Sequence, residues 1–462
     1  MLFTRRLSLL SVVIALSLLI ASCGVQQPPE TPSEDFVNTG VAQTVNSQLP
    51  VDETPGLTEP QVPSVESSTE TPQPTEEPFA PLAVAFVSPD HNAYFWNESL
   101  AAPTQLTTTY DVQEALISPD GTRVALIRSS DWVSYSVDLI NSDGSGLMTL
   151  VNPSGFAALP RPADTVASTP AHVSWVPNTN SLSMTTRITH EGPGSTTGET
   201  LFLIDVATSA MSALLTIESE WSWDYTYSPD GKMIAISRPE GVDIYNADGT
   251  LMIADLITFP FVNTASDYAW IPQPIWSTDS TAMVVVVPPQ EPWSLTLADS
   301  KVYQWSTTET SANLNFSTSM IYWPMKFASI APDLSRFFYL ARTGAPEDNR
   351  FALKMVNIDG SGMLEVAVGD IYNLPSWSTD SNTYYYHSKT DGAFIATPGS
   401  TPVALPAFNQ VRNVQWVDAQ RFIGAGGTAG AWQLLLGSTV SSPMVIFSSS
   451  SGSDQIFFTV NR

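Results

Sequence analysis

The chain has 462 residues, with 18 Lys plus Arg against 45 Asp plus Glu, a formal net charge of −27. That acidic surplus excludes a nucleic-acid binder, because phosphate contacts need clustered cations to release counterions. One cysteine and four histidines exclude a disulfide scaffold and argue against a Cys/His metal centre.

Residues 1–22 read as a signal peptide. Arg5 and Arg6 precede an apolar stretch from Leu7 to Ala21 that is too short for a comfortable membrane span. It ends in Ile20-Ala21-Ser22-Cys23, which resembles a bacterial lipobox: an aliphatic residue, two small residues, then the cysteine that is acylated. The mature chain is therefore expected to start at Cys23 and to be held by lipid on the extracytoplasmic side of a bacterial membrane. Several acyl chains anchor stably where one does not, at about 0.8 kcal/mol per buried methylene. Gly24 rather than Asp follows the cysteine, which in a two-membrane organism resembles outer-membrane sorting.

Residues 23–80 form a linker. From 24 to 80 there are ten prolines, ten acidic residues and no Lys or Arg. Such a segment cannot bury enough apolar surface to offset chain entropy, so a disordered tether is predicted.

From 81 to 462 one pattern recurs: an apolar strand, a tight turn containing Asp, a second β-rich strand and a later hairpin. The turn is Ile117-Ser118-Pro119-Asp120-Gly121, then Tyr227-Ser228-Pro229-Asp230-Gly231, then Trp-Ser-Thr-Asp-Ser around Asp279 and again around Asp380. Asp333, Asn178 and Asp418 mark weaker copies. Pro presets φ for the second turn position, Asp bonds nearby amides and Gly supplies positive φ. A second signal, Asp143-Gly144, Asp248-Gly249 and Asp359-Gly360, predicts a hairpin between third and fourth strands. A calcium loop is disfavoured because the downstream bidentate Glu is missing.

The spacing is roughly 50 residues, the period of four-stranded propeller blades. Seven full repeats open near 112, 171, 223, 272, 326, 372 and 411. Ala83 to Thr107 is a partial repeat lacking its first strand, and Gln455 to Asn461 is a spare strand. Joined, they complete an eighth blade and close the ring without an open sheet edge; seven blades with a terminal extension is the other count. The expected fold is all-β, a propeller of four-stranded blades closed by its N- and C-terminal strands. These turns and the Ile/Val-Ala strands after them resemble the Pro-Asp repeats of the TolB family and of the propellers in prolyl-oligopeptidase-like enzymes. That resemblance covers about residues 82–462.

No Gly-X-Ser-X-Gly elbow, hydrolase domain, P-loop or His-Glu-X-X-His motif occurs, so no catalytic residue, cofactor or metal is assigned. His91, His172, His190 and His387 are scattered and are expected to be surface or hydrogen-bonded residues. Asp224, Asp267, Glu218 and Glu220 lie in predicted loops, where a glycosidase pair could in principle converge.

Trp175, Trp276, Trp377 and Trp416 share one repeat position, the mark of blade packing. Other aromatics break the repeat: Trp132, Trp221, Trp223, Phe259, Tyr268, Trp270, Trp293, Tyr322 and Trp323. They fall in connectors from strand four to one or from strand two to three, which emerge on one face, opposite the Asp turns. They either form a docking face for a protein or glycan or simply cover the blades. The expected function is a membrane-anchored binding or scaffold protein of the bacterial cell envelope, monomeric, not an enzyme; the alternative is an envelope hydrolase or lyase acting on glycans.

Overall fold

The computed structural model describes residues 81–191, 194–219, 221–265, 268–292, 298–321, 328–344, 350–371, 373–428, 430–450 and 455–461. Cys23, the lipobox and the linker lie outside them. Met1–Thr75 and Glu76–Arg462 are separate units, and all the described residues belong to the second.

This second unit is an all-β ring of eight blades, each an antiparallel meander. Blade 1 joins the first and the last of the described strands. Phe457–Val460 pairs with Ala83–Val87, which pairs with Ala93–Asn97 and then Thr104–Gln105. The C-terminal strand is thus the innermost of its blade, and the splice read from the partial repeats is the one observed.

Blade 2 comprises Val112–Ile117, Arg123–Arg128, Ser136–Asn141 and Met148–Val151. The innermost strands of blades 3 to 8 are Thr165–Trp175, Asp224–Tyr227, Ile275–Trp276, Ala328–Ile330, Ser376–Trp377 and Val411–Trp416. Blade 3 departs from the others. Its first two strands, Thr165–Trp175 and Ser181–His190, run to 11 and 10 residues, and Ser195–Thr197 adds to the far end of the second. A two-stranded hairpin, Asn263–Ala265 with Tyr268–Ala269, lies between blades 4 and 5.

The Asp turns sit between first and second strands as expected, and their chemistry repeats. Ser118, Ser228, Ser277 and Ser378 donate their hydroxyls to Asp120, Asp230, Asp279 and Asp380 at 2.6, 2.7, 2.6 and 2.6 Å. The Asp carboxylate also accepts the amide two residues on, as at Asp333, where Ser335 donates at 3.0 Å. The next position is left-handed in each: Gly121 and Gly231 at φ 70° and 71°, Ser280, Leu334 and Ser381 at 61°, 57° and 62°. The Asp-Gly signals do close hairpins between third and fourth strands, with Gly144, Gly249 and Gly360 at φ 85°, 83° and 84°.

Blades are joined by the repeated tryptophans. The indoles of Trp175, Trp276, Trp377 and Trp416 donate to Leu116, Thr226, Ser329 and Ser376 carbonyls at 3.0, 3.3, 3.1 and 2.9 Å. Each acceptor lies in the innermost strand of the preceding blade. A buried indole needs a partner for its N–H, and here that requirement stitches one blade to the next. Hydrophobic clusters follow the same seams. One gathers Phe338, Trp377 and Tyr384 from blades 6 and 7, another Phe86 and Trp96 of blade 1 with Ile423 and Leu434 of blade 8.

Candidate functional site

The innermost strand of each blade starts at the face where connectors from strand four to one and from strand two to three emerge. There, at the seam of blades 1 and 2, lies a cavity of about 610 Å³ lined by Val87, Ser88, His91, Gln113, Trp132, Gln455 and Phe457. Val87 ends the second strand of blade 1, and Ser88 and His91 belong to the turn joining it to the third. Gln113 is near the start of blade 2, and Gln455 and Phe457 enter the closing strand.

The turn at Ser88-Pro89-Asp90-His91 repeats the chemistry of the Asp turns at a different place in its blade. Ser88 donates to the Asp90 carboxylate, Asn92 Nδ2 donates to it at 3.1 Å, and His91 takes the left-handed position at φ 61°. His91 Nδ1 faces the Val112 carbonyl at 3.2 Å, so this nitrogen carries the proton. Across the cavity, residues 129–135 present Trp132. Its backbone is left-handed at φ 61°, its amide donates to Ser129 Oγ at 2.9 Å, and the preceding carboxylate fixes the loop. Asp131 accepts the amides of Val133 and Ser134 at 2.9 and 2.7 Å. Those bonds, from Ser134 first and then Val133, hold its carboxyl down at about 2. The Trp132 ring is 64% exposed and meets the His91 ring edge-on at 6.3 Å. Phe457 is 60% exposed, and Gln113 Nε2 donates to the Ser129 carbonyl at 2.9 Å.

A second polar group sits on the innermost strands of blades 2 to 4. His172 Nδ1 lies 2.7 Å from Asp224 Oδ1, and its ring stacks on Tyr225 at 4.4 Å. The Tyr225 hydroxyl reaches Ser183 and Ser174 at 2.9 and 3.3 Å. Nearby, the protein around the Glu114 carboxyl strips water from it and pushes its pKa up, against the pull of the Arg187 guanidinium. His190 bonds Asp164 and Thr196, and His387 meets the Asn409 carbonyl. Each histidine therefore has its own partner, and among the described residues no cluster could hold a metal ion.

Of the irregular aromatics whose side chains are among the described residues, Trp132 lines the cavity. Trp221 is partly exposed and edge-on to Phe261 at 5.0 Å. Three are not a docking face: Trp223, Phe259 and Trp270 are only 2%, 8% and 7% exposed. The Trp223 indole donates to the Gly198 carbonyl at 3.0 Å, and Phe259 packs edge-on against Trp270 at 5.9 Å. These rings cover the blades, since an apolar ring beside a strand end gains more from packing than from water. Tyr268 contributes its backbone to the short hairpin. Trp293, Tyr322 and Trp323, like Asp267 and Glu220, lie outside the described residues. Sequence reading missed Ser88, His91, Gln113, Gln455 and Phe457. The Ser-Pro-Asp at 88–90 was a visible signal for two of them.

No protein-family model and no curated protein matches the chain. Among solved structures, it is similar to an oligogalacturonate lyase in complex with manganese at 15% identity, covering 67% of this chain and 84% of that one, TM-score 0.45. It is similar to TolB from Acinetobacter baumannii at 15% identity over 63% and 66% of the two chains, TM-score 0.34. A prolyl endopeptidase matches at 13% identity over 73% of this chain and 50% of its own, TM-score 0.45. The chain is an eight-bladed β-propeller whose ring is closed by its last strand.

Proposed function

We propose that this protein is a lipid-anchored binding or scaffold protein of the bacterial cell envelope that meets a protein or glycan on the connector face of its propeller. The observation that carries the reading is the cavity at the seam of blades 1 and 2, a concave site with an exposed indole on a hydrogen-bonded turn at its wall. Sites of about 300–1,000 Å³ lined by aromatic rings with a few polar groups suit ligand binding. Exposed aromatics contribute large contact area at low entropic cost. The lipobox at Ile20-Ala21-Ser22-Cys23 supports the anchor, and the acidic linker supports a tether.

Two measurements test it. The Cys23→Ala chain should leave the membrane fraction on cell fractionation; unchanged retention would show another anchor. Capture of envelope components by the full chain should fall at least tenfold for Trp132→Ala with the circular dichroism spectrum intact. Undiminished capture removes the site. The alternative, a hydrolase or lyase on glycans, draws on the His172–Asp224 pair, the one described imidazole–carboxylate contact on the innermost strands. Turnover of a glycan that is lost in Asp224→Asn would establish it instead.

A further inference from the structure

The cavity at the ring seam has a property that selects its ligand: among the described residues that line it there is no Asp, Glu, Lys or Arg, in a chain whose net charge is −27. The neighbouring acids are spent on their own turns, Asp90 on Ser88 and Asn92, Asp131 on Val133 and Ser134. Among the described residues no cation lines it to hold a carboxylate or phosphate, and no carboxylate lines it to hold an amine. Its walls are two broad apolar rings, Trp132 and Phe457, with the amides of Gln113 and Gln455 and the imidazole of His91.

We propose that this cavity binds a neutral saccharide, with a sugar ring against Trp132 and its hydroxyls on the side chains of Gln113, Gln455 and His91. The inference rests on the binding reading and narrows it to one ligand class. A sugar ring has an apolar C–H face and a rim of hydroxyls that both donate and accept. The rings match the face. Amides match the rim, because each carries both an N–H donor and a carbonyl acceptor. The backbone that carries Trp132 is already held by the Asp131 turn, so this segment loses little conformational freedom on binding.

The test uses the full chain in a detergent without a sugar headgroup and saturation-transfer NMR. The probes are neutral trisaccharides of glucose, mannose and N-acetylglucosamine, a charged oligogalacturonate and an uncharged hexapeptide. At least one neutral trisaccharide should receive saturation. The signal should fall at least tenfold in Trp132→Ala and in Phe457→Ala, and be partly restored in Trp132→Phe. The inference is overturned if no neutral sugar binds, if both alanine variants bind undiminished, or if only the oligogalacturonate or the peptide binds. Should the sugars fail while an envelope protein is captured through Trp132, the ligand class falls and the binding reading stands. Should both fail, neither survives.

Discussion

Serine in place of glycine at two of the Asp turns shows how a local penalty is offset across a blade boundary. An L-residue in the left-handed region costs roughly 1–2 kcal/mol, and Ser280 and Ser381 both sit there. Each hydroxyl accepts an amide from the turn of the preceding blade, Asp230 N at 2.9 Å and Asp333 N at 3.0 Å, and such a bond returns about 1 kcal/mol. Ser280→Gly should therefore leave the urea midpoint nearly unchanged. Gly231→Ala should lower stability by about 2 kcal/mol or more, because φ is 71° and a Cβ there would meet the Pro177 carbonyl oxygen at 2.6 Å. An unchanged midpoint for Gly231→Ala would mean that the turn can relax.

The Asp turns and the Asp-Gly hairpins together set an acid limit. Hydrogen bonds from Ser277 and then Thr281 hold the Asp279 carboxyl below its ordinary range, as those from Ser361 hold Asp359. The unfolded chain then binds more protons than the folded one at low pH. Stability is full above the ordinary carboxylate pKa of about 4 and declines as pH falls through the lower folded values. Urea midpoints measured from pH 7 to pH 2.5 should be flat down to about 5 and fall below that; a midpoint that rises on acidification would contradict the turn chemistry. These residues were legible in the sequence, because Ser, Pro, Asp and Gly each act within four positions of the chain. Exposure was not. Trp132 and Trp223 look alike in sequence, and the fate of each ring depends on what another connector lays over it.

At the scale of the element, the closing strand is the most informative. Thr459 bridges blades 1 and 2, accepting from Ile117 N and donating to the Ala115 carbonyl, both at 3.0 Å. The Ala83 backbone is held by Asn461 on either side, through its carboxamide at 2.7 Å and its amide at 3.1 Å. Thr459→Val keeps the shape and leaves two backbone groups without this partner, which should cost about 1–3 kcal/mol. Removing residues 455–462 should lower the thermal midpoint sharply and expose apolar surface to a hydrophobic dye, and a peptide of residues 455–462 should restore part of the loss. A truncated chain as stable as the whole would mean that the first and last strands do not close the ring. The partial repeat and spare strand made this splice readable. The long hairpin of blade 3 was not, since Thr165–Trp175 contains Pro170, and a proline in a strand-like run argues for its edge or its end.

For the whole molecule, the ring brings together residues that the sequence keeps furthest apart. Ser88 and His91 meet Gln455 and Phe457 only because the strands Ala83–Val87 and Phe457–Val460 share blade 1. No spacing rule could have found that cavity, whereas the period of roughly 50 residues, four strands to a repeat, sufficed for the architecture. The regular part of a repeat protein is written locally and many times over; its site is written once, across the join.

That join also sets a condition on biogenesis. The strand Ala83–Val87 is synthesised long before its inner neighbour Phe457–Val460, so the circle cannot lock until that later strand has emerged. A copy cut short by premature termination or clipped near its tail would display a raw β-edge to the proteases around it. Degradation of such copies would then act as a check that only molecules carrying the closing strand persist.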